Sequence, residues 1–183
     1  ALIFDTETHK LHGDIIEAAA IEIEFTPFCN AMPIMPTQFD YSKRFKPSEP
    51  ISLGAMAVHH ILDEDLNKCP SFTTFKMPIV DVQYLIGHNI DYDIKAVNRA
   101  GVATEGIKKI CTLAMARYLW PTLEAHNLTA LAYHISTDRK TTRRGLKNAH
   151  TALNDCKTTL VLLLAIVKYK DIKTFEDLYQ FSE

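Results

Sequence analysis

Apolar residues fall in two rhythms along this chain. Short continuous or alternating runs, the pattern of strands, occupy residues 1–5, 15–25, 41–45, 83–87 and 107–111. Stretches with the 3.6-residue period of helices cover residues 52–59, 72–81, 94–100, 112–120, 128–134 and 150–169, and residues 174–179 read as a short closing helix, so that an end near residue 183 is expected. Early strands followed by alternating helices and strands predict an α/β protein, a mixed sheet covered by helices on both faces. Residues 26–40 hold three of the eight prolines and little periodicity, which predicts a long hairpin connection. Trp120-Pro121 ends its helix, because proline disfavours the helical conformation of the residue before it. No internal repeat or low-complexity segment interrupts this order.

Composition sharpens the outline without changing it. A chain of 183 residues that is 47% hydrophobic can bury one sizeable core, so residues 1–183 are expected to form a single domain. The longest apolar run, residues 160–167, is far below the roughly 20 residues needed to span a bilayer, which predicts no membrane partner. Cys29, Cys69, Cys111 and Cys156 show neither Cys-x-x-Cys nor zinc-finger spacing and fit reduced thiols, hence a cytoplasmic setting. The first residues already read as strand, so an initiator upstream is expected. A net charge of −2 argues against broad electrostatic wrapping of duplex nucleic acid. Locally, Arg139, Lys140, Arg143, Arg144 and Lys147 form a basic run just before His150, either a grip for phosphates or a solvated loop.

Candidate chemistry begins with Asp5 and Glu7, which follow Leu2-Ile3-Phe4. Side chains alternate along a strand, so Asp-x-Glu presents both carboxylates on one side. Two adjacent carboxylates repel unless a cation lies between them, and a hard divalent ion such as Mg²⁺ or Mn²⁺ prefers oxygen ligands. Taken alone, Asp5-Thr6-Glu7-Thr8 also fits a polar turn. Two further clusters follow. Gly87-His88-Asn89-Ile90-Asp91-Tyr92-Asp93 leads into a helix, with Asn89 and Asp91 competing for its cap and Asp93 near its start. His150-Thr151-Ala152-Leu153-Asn154-Asp155 opens the long apolar helix. Five residues turn about 140° on an ideal helix, so His150 and Asp155 reach one site only if His150 lies in a loosened first turn or just before it.

The order of these clusters, strand-end Asp-x-Glu, then His-Asn-x-x-aromatic-Asp, then His-x-Ala-x-x-Asp, resembles the DEDDh (DnaQ-like) family of 3′-to-5′ exonucleases. Asp5 and Glu7 match the first motif, Asp93 the second, and His150 with Asp155 the third; Asp91 is passed over, since the motif's acid follows the aromatic Tyr92. Residues 51–59 and 111–121 are also similar to the family, and the exodeoxyribonuclease X branch is more similar than the oligoribonuclease, RNase T or polymerase-proofreading branches. The resemblance implies a ribonuclease H-like fold with five strands. It implies metal-dependent hydrolysis of the terminal phosphodiester of DNA, as single strands or 3′ ends, releasing nucleoside 5′-monophosphates. Asp5 would bridge two Mg²⁺ or Mn²⁺ ions, Glu7 and Asp155 complete the first, Asp93 hold the second, and His150 act as general base. Substrate contacts would come from Thr6 and Thr8, from Leu53, Met56 and His59, from Asn89, and from Arg143 and Arg144. His59 on a core-facing helix is the plainer alternative. The implied partner is nucleic acid with a free 3′ end, DNA before RNA. Some branches are homodimers, and no exposed apolar stripe decides that here.

Three alternatives compete with this expectation. A 3′-to-5′ exoribonuclease of the same family would present the same phosphate to the same metals, the difference lying at the 2′-position. A phosphatase with Asp5 as covalent nucleophile would need Asp where Glu7 stands and leaves His150 and Asp155 unexplained. A silent nucleic-acid-binding module need not have kept all five side chains.

Overall fold

The computed structural model describes residues 1–26 and 33–183. Its centre is a five-stranded sheet in the order β3-β2-β1-β4-β5, built from β1 (Leu2–Thr8), β2 (Ile15–Phe25), β3 (Ile34–Arg44), β4 (Tyr84–Gly87) and β5 (Lys108–Cys111). The first three strands pair antiparallel, while β4 lies parallel to β1 and β5 parallel to β4. This is the mixed sheet that the two rhythms predicted. The helices are α1 (Leu53–His59), α2 (Ile90–Arg99), α3 (Thr112–Leu119), α4 (Leu128–Ile135), α5 (Arg139–Gly145), α6 (Ala152–Lys170) and α7 (Phe175–Ser182). No helix among the described residues is long and apolar enough to cross a membrane.

Alternation along β1 sorts the molecule into two layers. Ile3 packs with Ala19, Ile21, Met115, Leu131, Cys156 and Leu163, the layer of α3, α4 and α6. Leu2 and Phe4 pack with Phe45, Phe75, Ile90 and Val97, the layer of α2. Continuing the alternation, Asp5 and Glu7 project on the α6 side and Thr6 and Thr8 on the α2 side. Strand β2 is buried on both faces from Ile15 to Ile21, and its Ala18-Ala19-Ala20 run lets helices approach closely.

Several boundaries differ from the sequence expectation, each for a local reason. Strand β1 runs on to Thr8, so Asp5 and Glu7 lie within the strand's last stretch rather than beyond it. Strand β3 begins at Ile34, so residues 34–40, expected in a hairpin connection, pair with β2. Pro36 is tolerated because β3 is an edge strand and its ladder with β2 is irregular between Ile21 and Ile23. The rest of that connection, residues 27–32, lies outside the described residues. Within the helix expected at residues 72–81 only a 3₁₀ turn forms, Phe72–Thr74. Phe75 instead inserts between Phe4 and Phe45, with ring centroids 6.1 and 5.7 Å away, and Pro78 follows. The basic run from Arg139 to Arg144 forms a helix, α5, capped by the Asp138 side chain, rather than a loop, and Lys147 follows in a 3₁₀ turn. Helix α2 starts four residues early, at Ile90, and α6 two residues late, at Ala152.

Candidate active site

The parallel strands β1 and β4 keep register only through Ile3 opposite Ile86. Beyond that point β4 turns away at Gly87, where a Cβ would stand 3.0 Å from the Phe4 carbonyl oxygen and 2.7 Å from Ile90 Cδ1. Only glycine lets the chain leave the sheet this close to β1. Helix α2 then starts at once, with Asn89 as its N-cap residue in the left-handed region. One turn later Asp93 comes back to β1. Its Oδ1 accepts the Thr6 backbone N–H at 2.8 Å and the Thr6 hydroxyl at 2.7 Å, taking the place where β4 no longer pairs. Asp91 stays outside, exposed and paired with Lys109 Nζ at 2.7 Å.

The other layer brings the third motif to the same strand end. Cys156, buried in α6, lies with Sγ 3.4 Å from the Ala19 carbonyl and so seats the helix on β2. His150 precedes the helix in a left-handed conformation, φ 64°. That bend resolves the angular mismatch: the His150 backbone N–H donates to Asp155 Oδ1 at 3.2 Å, and the imidazole turns to the same side as the carboxylate. Glu7, His150 and Asp155 each offer a ligand atom within 4.8 Å of the other two.

Electrostatics makes this end of the sheet a candidate cation site. Burial holds the Asp5 carboxyl well above the usual carboxylate range, and the charges of Asp93, Glu7, Asp155 and Glu17 push it further. Burial, then Asp155, Glu17 and Asp93, raise Glu7 to about 9. Asp93 is raised to about 7 by burial, against the lowering effect of the Thr6 hydrogen bonds. Burial also raises Asp155, against the His150 amide and imidazole. Carboxylates so arranged are stable only if protonated or if a cation neutralises them, and the donor set of carboxylate oxygens and one imidazole suits a hard divalent ion. Asp5, Glu7, Asp93 and Asp155 fit such a group.

The remaining residues named from sequence are scattered around this centre. Thr6 and Thr8 are buried: Thr6 holds Asp93, and Thr8 bonds the Lys10 carbonyl and the Tyr92 hydroxyl. On α1, Leu53 is 82% exposed, Met56 packs on Ile16, Ile51, Ile61 and Leu66, and His59 is buried with Nδ1 accepting the Ile61 N–H. Asn89 is exposed, as are Arg143 and Arg144 on α5. One residue near the acids escaped sequence reasoning. Glu17 on β2 lies opposite Glu7, 5% exposed, accepting the Ala152 N–H at 2.8 Å and bonded to Arg44 Nε at 2.9 Å. The signal was a lone acid inside the apolar run Ile15-Ile16-Glu17-Ala18-Ala19-Ala20-Ile21.

Comparison with known proteins points the same way. The RNase T exonuclease family model matches residues 2–163. Exodeoxyribonuclease 10 of Escherichia coli K12 is 29% identical over 165 residues, 90% of this chain and 67% of that protein. Among solved structures, exonuclease X in complex with 5′-overhanging duplex DNA superposes with a TM-score of 0.76 at 25% identity, over 100% of this chain and 99% of that one. Escherichia coli ExoI bound to single-stranded DNA superposes at 0.73 with 18% identity, over 98% of this chain and 42% of that one. The chain belongs to the RNase T family of DnaQ-like 3′-to-5′ exonucleases, divalent-metal-dependent nucleases with a ribonuclease H-like fold.

Proposed function

We propose that this protein is a DEDDh exonuclease that hydrolyses the last phosphodiester of DNA, at single strands or 3′ ends, and releases nucleoside 5′-monophosphates. The observation that carries the reading is the convergence of Glu7, His150 and Asp155 within 4.8 Å at the strand end that also bears Asp5 and, through Thr6, Asp93. The DNA complexes of exonuclease X and ExoI favour DNA over RNA as the substrate. One sheet carrying both helical layers supports reading residues 1–183 as one exonuclease domain.

In this reading Asp5, Glu7, Asp93 and Asp155 hold two Mg²⁺ or Mn²⁺ ions. When bound, these acidify the attacking water and neutralise charge developing on the phosphate. Asp5, central among the acids, would hold the ions together with Glu7 and Asp155 on the α6 side and Asp93 on the α2 side. His150, exposed and tethered through its own amide to Asp155, takes the water's proton, a role worth about 10² to 10⁴ in rate. Arg143 and Arg144, exposed on α5, stand ready for the phosphates of the strand behind the scissile bond.

The test is digestion of matched DNA and RNA oligonucleotides labelled at the 5′ end, with Mg²⁺, Mn²⁺ or chelator, and with Asp5→Ala as control. A metal-dependent ladder shortening from the 3′ end, faster on DNA and absent in the variant, is the expected result. Faster RNA shortening would move the substrate to exoribonucleolytic ends. Intact oligonucleotides under every condition would sink the enzymatic reading and leave a binding module.

A further inference from the structure

Glu17 is an awkward choice of residue for its position. It is 5% exposed, opposite Glu7 in the β1–β2 register, and its charge adds to the repulsion that raises Asp5, Glu7 and Asp155. A neutral side chain would relieve that repulsion, so the carboxylate must offer something else. Its two oxygens are aimed at two different donors. Oε1 accepts from Arg44 Nε at 2.9 Å, across the β2–β3 pair in which Glu17 faces Arg44. Oε2 accepts the backbone N–H of Ala152, the first residue of α6, at 2.8 Å. Both oxygens are engaged by the protein, and Glu17 stands outside the group of Glu7, His150 and Asp155 whose ligand atoms converge. It is a bracket between the edge strand and the amino end of α6.

The consequences follow along the chain. Ala152 is fully buried, two residues after His150 and three before Asp155. The first N–H groups of a helix have no partner within the helix, so one that is buried must find an acceptor elsewhere or move. A carboxylate from β2 supplies that acceptor and therefore sets where the helix starts relative to the sheet. The same sheet holds Asp5 and Glu7. We propose that Glu17 is a positioning residue which, braced by Arg44, fixes the start of α6 and thereby the placement of Asp155 and His150 against Asp5 and Glu7. The proposal rests on those residues being the catalytic set.

The test compares Glu17→Ala, Glu17→Gln and Arg44→Met in the whole chain. Glutamine keeps a carbonyl oxygen for Ala152, alanine keeps nothing, and methionine at position 44 leaves Glu17 in place without its brace. Partners that orient metal ligands typically cost about 10- to 100-fold when removed. Glu17→Ala is expected to lower kcat by about that factor with KM little changed. Without metal, amide exchange in the peptide spanning residues 150–156 is expected to accelerate. Glu17→Gln recovers most of both signals, and Arg44→Met shows a smaller loss of the same kind, which also serves if the alanine variant does not fold. An unchanged kcat, a loss confined to KM, unchanged metal-free exchange, or a glutamine variant as impaired as alanine overturns the proposal. If the wild type shortens no oligonucleotide, the catalytic reading has failed, while the metal-free exchange still decides whether Glu17 holds the helix.

Discussion

Removing the divalent cation should make this protein less stable as the solution becomes more alkaline. Glu7 is the cleanest handle. Its pKa is raised from 4.5 to about 9, first by burial and then by Asp155, Glu17 and Asp93. A raised carboxylate pKa means that the folded chain keeps a proton which the unfolded chain has released. Its contribution is full below pH 4.5 and is lost as pH rises towards 9. From pH 7 to pH 9 the raised Asp5 and Asp93 also contribute to the loss, so the share of Glu7 is the difference between the wild type and a variant without its carboxyl; His88, lowered by burial to about 4, and the lowered His59 add little there. Two pH units at about 1.4 kcal/mol each, less the half-ionisation already reached at pH 9, give about 2 kcal/mol. For a domain of this size that is a fall in Tm of roughly 4 to 8 °C. The assay is thermal unfolding in chelator at pH 7, 8 and 9, wild type against Glu7→Gln, then both with Mn²⁺. The wild type should lose about 2 kcal/mol more than the glutamine variant across the window. Mn²⁺ should flatten its curve, since a bound cation replaces the proton. Parallel curves for the two proteins in chelator would refute the argument that these acids are held together against their charge.

Other perturbations separate the roles. Asp155→Ala should fold and bind single strands yet show no turnover, and wild-type-like rates in it would remove the acid cluster from the reaction. His150→Ala should lose about 10² to 10⁴ in kcat while its Mn²⁺ affinity, followed by electron paramagnetic resonance, stays close to wild type. Thr6→Val removes the hydroxyl that donates to Asp93 at 2.7 Å but keeps the backbone donor. A hydrogen bond to a charged group contributes about 1.5 to 3 kcal/mol, so metal-free urea unfolding at pH 8.5 should shift by that amount, and an unmoved midpoint would deny Thr6 this part. Arg143→Ala and Arg144→Ala should raise KM for a single-stranded oligonucleotide and lower the slope of log KM against log salt by about 0.7 for each phosphate no longer gripped. A salt-independent change would place α5 away from the strand.

The acids that gather at the end of β1 were legible because each piece is local: Asp5 and Glu7 are two residues apart, and His150 and Asp155 are five. The layers were legible for the same reason, since β1, β2 and β4 each bury side chains in a short run. What local pattern missed depends on partners distant in sequence. Helix α5 has no buried residue, so it has no apolar stripe to announce it, and its start is set by the Asp138 side chain. The apolar residues around Phe75 imitated a helical period because Phe72, Phe75, Met77 and Ile79 pack on one cluster, that of Phe4 and Phe45, from an irregular segment. Glu17 acts on Ala152 across 135 residues, and nothing in its own neighbourhood says which amide it will meet.

Thr6 explains why a site drawn from two opposite layers can be read from one strand at all. On β1 the odd positions 5 and 7 face α6: Glu7 meets Asp155 and His150, and Asp5 feels the charge of Asp155. An acid on α2 belongs to the other layer, and a flat sheet would keep it apart from them. Asp93 crosses over because β4 leaves the sheet at Gly87, which frees the Thr6 N–H, while the Thr6 hydroxyl, projecting on the α2 side, adds a second donor to the same oxygen. The charge of Asp93 is then the first neighbour, after burial, to act on Asp5. Asp-Thr-Glu is thus one period of a strand read on both faces: its carboxylates address one helix, and the residue between them recruits the acid of the other.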